Sequence, residues 1–165
     1  MEYRRIENAG IDVSVIALGC WQFAGGGMWG EQEDRDSIAA VHAALDAGIT
    51  LFDTAEGYGK GYSEEVLGRA LSGRRSEAIV ATKASGPTYA REEMTAACEG
   101  SLKRLGTDYI DIYQLHWPRE QGAAPEQILE TAEALKRSGK IRHFGVCNYG
   151  PKDLKGILAH GTIAT

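Results

Sequence analysis

Four polar residues close apolar runs in this chain, and a fifth lies just beyond one of them. Ile49-Thr50-Leu51-Phe52 ends at Asp53, Ile79-Val80-Ala81-Thr82 at Lys83, the run from Ile110 to Leu115 at His116, and Ile141 to Val146 at Cys147-Asn148. Tyr58 follows Asp53 by five residues on a glycine-rich loop. A phenol titrates at about 10, and a neighbouring ammonium that stabilises phenolate brings it closer to working pH. A partly buried lysine needs an anionic partner to stay charged, and Asp53 is the available carboxylate. His116 is placed to hydrogen-bond a substrate oxygen from the other side. Together these groups suit proton delivery to a carbonyl oxygen whose carbon is receiving a hydride.

Such residues converge only if their strands run side by side, and the pattern around them says that they do. Helical periodicities end repeatedly in glycine and a β-type run follows. The first helix spans Asp36 to Ala47. A second starts at Ser63, read as its N-cap with Glu64 and Glu65 in the first turn, and runs to Gly73. A third covers Arg91 to Leu105, a fourth starts at Pro125 and stops before Gly139, and a fifth covers Pro151 to His160. The leading isoleucines of four strands, Ile49, Ile79, Ile110 and Ile141, are 30, 31 and 31 residues apart. That is the period of a βα unit, and it predicts parallel strands joined by helical crossovers. Counting Val15 to Leu18 as the first strand gives five units, preceded by a hairpin over residues 3–14 that turns at Asn8-Ala9-Gly10.

In such folds functional groups gather at the carboxyl ends of the strands, where all five residues lie. A closed eight-stranded barrel takes about 250 residues. The chain therefore reads as an open sheet or as five units of a barrel, with a sixth strand expected near position 172 by extrapolating the period. Five strands leave two unpaired edges, and inward residues such as Leu51, Val80, Ile112 and Val146 would lack an opposite wall, so self-association of the isolated chain is expected.

Composition narrows the partners. With 18 Lys and Arg against 23 Asp and Glu, the formal charge is −5 and there is no basic cluster, which argues against nucleic acid and anionic membranes. Cys20, Cys98 and Cys147 are too few and too scattered for a disulfide framework or a zinc ribbon, pointing to a reducing, cytoplasmic setting. No signal-peptide pattern or membrane-length apolar run is found. Cys20, His116 and Cys147 at strand ends raise the alternative of a metal-dependent hydrolase, but no close-spaced ligand pair supports it and no metal site is assigned. His42, His143 and His160 are read as structural. Trp21, Trp29 and Trp117 suit an apolar substrate wall, and Gly25-Gly26-Gly27 suits a lid, since no phosphate-loop pattern follows it.

Several ordered segments resemble one family, the aldo-keto reductases: Leu51-Phe52-Asp53-Thr54-Ala55-Glu56-Gly57-Tyr58-Gly59, Ser63-Glu64-Glu65-Val66-Leu67-Gly68, Thr82-Lys83, Gln114-Leu115-His116-Trp117-Pro118, Gly139-Lys140-Ile141-Arg142 and Gly145-Val146-Cys147-Asn148. The resemblance covers nearly the whole chain. It implies a (β/α) barrel of TIM type, here partial, with residues 1–165 as the N-terminal portion of an NADP-dependent oxidoreductase domain. It further implies a catalytic tetrad of Asp53, Tyr58, Lys83 and His116, with Tyr58 the general acid in reducing aldehydes or ketones to alcohols. Hydride would come from NADPH. Gly19, Cys20, Trp21, Asp53, Cys147 and Asn148 would line the nicotinamide, with Asn148 on its carboxamide. Trp21, Tyr58, His116 and Trp117 would face the small-molecule carbonyl substrate. Many relatives have serine where this chain has Cys147. The aromatic that stacks on the nicotinamide and the basic grip on the 2′-phosphate would lie on later units, so weak NADPH binding is expected of these five units alone. A second role in this family, a nucleotide-sensing channel subunit without turnover, is the alternative.

Overall fold

The structure, a computed structural model, describes residues 1–27 and 29–165. An antiparallel hairpin of β1 (Tyr3–Ile6) and β2 (Ile11–Ser14) opens the chain and turns where the sequence predicts. Parallel strands β3 (Ala17–Gly19), β4 (Leu51–Asp53), β5 (Ile79–Ala84), β6 (Ile110–Leu115) and β7 (Ile141–Val146) then form one sheet in chain order. Helices α1 (Asp34–Asp46), α2 (Tyr62–Ala70), α3 (Arg91–Leu105) and α4 (Pro125–Arg137) connect these strands, and α5 (Pro151–Leu158) follows β7. Each strand pairs with the next in sequence, which is the arrangement of a partial (β/α) barrel. Among the described residues no helix is long and apolar enough to cross a membrane.

Strand alternation sets the two faces. Asp53 aligns with Ala81, Ala81 with Ile112, and Lys83 with Gln114, so these residues share the inner face. Phe52, Val80, Tyr113, Leu115, Phe144 and Val146 point the other way, into a core shared with Val41, Val66, Leu67, Met94, Cys98 and Leu135 of the helices. Val80 and Val146 therefore do not face inward as the sequence reading has them; each is an odd number of residues from an inner-face position. Leu51 and Ile112 do face inward. Val15 and Ile16 are exposed and precede β3, which begins at Ala17.

Two further expectations shift. Ser63 is not a cap: α2 begins at Tyr62 behind Gly61, and Ser63 is its second residue, its hydroxyl turned to a tertiary contact. At the other end, α5 stops at Leu158, and residues 164 and 165 run along the edge of β7 before the extrapolated position. The Ala164 N–H donates to Phe144 O at 2.7 Å and the Val146 N–H to Thr165 O at 3.0 Å.

Helices α2 and α3 meet at Gly68, where a Cβ would lie 2.6 Å from the carbonyl oxygen of Leu105, so only glycine allows this approach. At the amino ends of the strands, buried Asp111 accepts from Arg75 at 2.6 Å, Arg142 at 3.1 Å and the Val80 N–H at 3.0 Å. The two guanidinium groups lie 4.2 and 3.9 Å from the centre of the Tyr109 ring. Asp111, Arg75 and Arg142 are thus tied to one another in structural ion pairs at that end.

Candidate active site

At the carboxyl ends of β4, β5 and β6 the polar residues meet. Lys83 Nζ, its side chain 3% exposed, donates to Asp53 Oδ1 at 2.7 Å and to the Thr54 carbonyl at 2.8 Å, and lies 3.4 Å from the Tyr58 hydroxyl. Burial of an ammonium is tolerated because a carboxylate and a carbonyl face it. Asp53 ends β4 and Lys83 lies two residues beyond Ala81, the partner of Asp53, so sheet register brings the pair together. Tyr58 comes off the β4 loop at the start of a short 3₁₀ turn, with Lys83 Nζ 5.1 Å from the centre of its ring.

His116 follows β6. Its ring meets the Tyr58 ring edge-on at 5.6 Å, and its Nδ1 lies 3.2 Å from Ser85 Oγ. Burial, and next the Lys83 ammonium, push the His116 pKa below its ordinary value, favouring the neutral imidazole. Asn148 has φ +60 and donates from Nδ2 to His116 O at 2.9 Å, with Cys147 Sγ at 3.4 Å. Its Oδ1 has no partner among the described residues and is free to accept.

Trp21, Asp53, Gly57, Tyr58, Lys83, Ser85, His116, Trp117, Cys147 and Asn148 line an open pocket of about 630 Å³. Trp21 stacks on Tyr58 at 5.6 Å, Trp29 meets Trp21 edge-on at 5.5 Å, and Trp117 stacks on His116 at 6.0 Å. In the glycine-rich segment the Gly30 N–H donates to Gly26 O at 2.7 Å, and Trp29 beside it joins this wall.

The structure thus brings together Asp53, Tyr58, Lys83, His116, Trp21, Trp117, Cys147 and Asn148. Gly19 lies beside Asp53 in register, with open space where a side chain would be. Cys20 is different: its thiol is fully buried and pushed to a high pKa chiefly by that burial, and its N–H and C=O are bound to Asp53 O and Ser63 Oγ. Among the described residues no cluster of three or more His, Cys, Asp or Glu could hold a metal. His42 bonds Ala70 O and His160 pairs with Glu126, both away from the pocket.

Sequence reasoning missed Gly57 and Ser85, although Ser85 lies two residues after Lys83 and inherits its face from strand alternation. It also missed the charged layer behind the pocket. Glu64, fully buried on α2, accepts from Thr82 Oγ1 at 2.5 Å and from Arg104 Nε at 2.6 Å, and Arg104 reaches Glu56 at 3.9 Å. Burial raises the Glu56 pKa, opposed by the Ser85 N–H it accepts.

The family model described as aldo/keto reductase family matches residues 15–165. Aldo-keto reductase YhdN of Bacillus subtilis is 46% identical, with 100% of this chain aligned to 52% of that protein. Methylglyoxal reductase YeaE of Escherichia coli is 37% identical, covering 95% of this chain and 54% of its own. Among solved structures, an aldo-keto reductase from Klebsiella pneumoniae in complex with NADPH superposes with a TM-score of 0.84 at 34% identity, over 98% of this chain and 55% of that one. The chain spans about half the length of the curated relatives it matches.

Proposed function

Because the chain belongs to the aldo/keto reductase family, we propose that its protein reduces small aldehydes or ketones to alcohols with NADPH, and that residues 1–165 are the N-terminal portion of the catalytic domain. The observation that carries this reading is the contact of Lys83 with Asp53 on one side and the Tyr58 hydroxyl on the other, inside an aromatic-walled pocket. Tyr58 gives its proton to the carbonyl oxygen as negative charge develops there. Lys83, held by Asp53 and Thr54, stabilises the phenolate left behind. His116 orients the same oxygen, and Trp21 and Trp117 exclude water along the substrate's apolar flank.

The residues present fit the nicotinamide end of the nucleotide. Asn148 has an unpartnered Oδ1 that can accept from a carboxamide, and Gly19 leaves space beside Asp53. Bound there, the reduced nicotinamide supplies the hydride to the carbonyl carbon. Cys147, beside Asn148, and Trp21 line the same pocket, with Cys20 buried next to Trp21. The three cysteines are free, which supports a cytoplasmic setting.

The test is NADPH consumption by the full gene product with a panel of aldehydes, including methylglyoxal because one relative is named for it. Alcohol formed in step with NADPH consumed is the expected result. Tight nucleotide binding without consumption on any aldehyde would replace the reductase reading with the sensing one.

A further inference from the structure

Behind His116 stands a side chain that the roles above leave unused. Ser85 Oγ lies 3.2 Å from His116 Nδ1, its one hydrogen-bond partner among the described residues. The backbone of Ser85 is held from both sides: its N–H donates to Glu56 Oε1 at 2.5 Å, and its C=O accepts from Arg119 Nη2 at 3.0 Å. Glu56 is itself tethered to Arg104, and Arg104 to buried Glu64. The hydroxyl is therefore presented to the imidazole by a fixed frame.

Gly57 supplies an independent sign of the same contact. Its φ of −71° and ψ of −18° are available to any residue, so backbone freedom does not explain a glycine there. Space does. A Cβ at position 57 would lie 3.1 Å from Ser85 Oγ and 3.9 Å from His116 Nδ1. Position 57 is empty where the serine and the imidazole need room.

A neutral imidazole carries one proton, and a hydroxyl at Nδ1 can either accept it or donate its own. In the accepting role the serine hydrogen would have no protein partner among the described residues. In the donating role it is used, and the ring proton sits on Nε2, which has no protein partner and borders the pocket.

We propose that Ser85, held by Glu56 and given room by Gly57, donates to His116 Nδ1 and fixes the Nε2–H tautomer, so that the imidazole offers a donor to an oxygen in the pocket. Ser85 is a positioning residue: its hydroxyl, at the pocket wall, acts through His116. The use of that donor on a carbonyl rests on the reductase reading. The tautomer does not, because it exists without nucleotide or substrate.

The experiment is nitrogen-15 NMR of the His116 imidazole in the full chain at neutral pH, with no ligand added. In wild type, Nδ1 is expected in the unprotonated range and Nε2 in the protonated range. Ser85→Ala should draw the two resonances together as the tautomers mix, and Ser85→Thr should restore their separation. Gly57→Ala, which crowds the hydroxyl while leaving it in the sequence, should act like Ser85→Ala. Circular dichroism on each variant separates these effects from unfolding, and if one variant fails to fold the other still reads the contact. A proton on Nδ1 in wild type, or an unchanged pair of resonances in the folded variants, would overturn the proposal. A serine-dependent tautomer in a protein that reduces no carbonyl would leave it standing and refute only the reductase reading.

Discussion

Lys83 Nζ lies 3.4 Å from the Tyr58 hydroxyl and 2.7 Å from Asp53 Oδ1, one cation shared between a phenol and a carboxylate. The phenol is the member of this group that can release a proton and be left stabilised. In the full gene product, Tyr58→Phe keeps the ring stacked on Trp21 and removes only the hydroxyl. Reduction should fall by roughly 10²- to 10⁴-fold, while NADPH affinity, measured by fluorescence, stays the same. Turnover within a few fold of wild type would assign the proton to another group.

Ser63 ties α2 to the end of β3. Its hydroxyl donates to Cys20 O at 2.6 Å and lies 2.9 Å from Thr54 Oγ1, and all three residues are buried. Ser63→Ala strands a buried carbonyl, which should cost about 1–3 kcal/mol in urea unfolding. Because Trp21 follows Cys20 directly, tryptophan emission should also change in the folded state. Unaltered emission with unaltered stability would show that the clamp is dispensable.

Arg104 pairs with a glutamate that has no solvent contact. Arg104→Ala leaves the Glu64 charge buried with only Thr82 beside it, a situation that typically costs about 3–5 kcal/mol. Chemical denaturation checks this. The double variant Arg104→Ala with Glu64→Gln should recover part of the loss, since the uncompensated charge is gone.

For His116 the sign of the pH effect follows from its depressed pKa. The unfolded chain takes up the proton first as pH falls, so the histidine's contribution to stability is complete above its ordinary value of 6.5. It is lost as pH drops toward the lower folded value. Unfolding free energies of wild type and His116→Gln should therefore diverge from neutral pH downward, with wild type losing more. Parallel curves would mean that the imidazole is not desolvated.

The sheet of the 165-residue chain has β3 and β7 at its edges, and Ala17, Leu51 and Ile79 on its inner face are not fully covered. The edge of β7 is partly covered by residues 164 and 165, but the open edge of β3 and the exposed apolar surface favour association. Sedimentation of this chain should give a mass above one copy, and NADPH titration should give weak binding. A monomer across the concentration range that binds NADPH at micromolar levels would contradict both expectations.

Much of this architecture is legible in the sequence because βα units write their period in glycines and isoleucines. Strands β6 and β7 fall on the predicted residues, and α3 runs over the predicted Arg91 to Leu105. What escapes are decisions made by tertiary contacts. Ser63 followed by two acids carries the local signs of a cap, but the nearby Cys20 carbonyl claims its hydroxyl. Val80 belongs to an unbroken apolar run, and in a parallel strand buried on both faces hydrophobicity does not reveal which side a residue takes. Lys83 and Asp53 announce themselves as charges at strand ends, whereas Ser85 is an ordinary loop residue until the imidazole beside it is seen. Glu64 looks like an exposed first-turn acid, and only the position of Arg104, 40 residues later, explains its burial.

Gly68 lies outside the pocket, yet α2 carries Glu64 and α3 carries Arg104, and the distance between those helices is set where position 68 lacks a Cβ. For a lineage accumulating substitutions, that makes position 68 a hinge of heritable constraint. The atoms that crowd it belong to the Leu105 backbone, so no exchange of side chains nearby makes room, and the glycine has no larger state the packing admits. Substitutions at position 68 would be removed by selection even though nothing there meets a ligand.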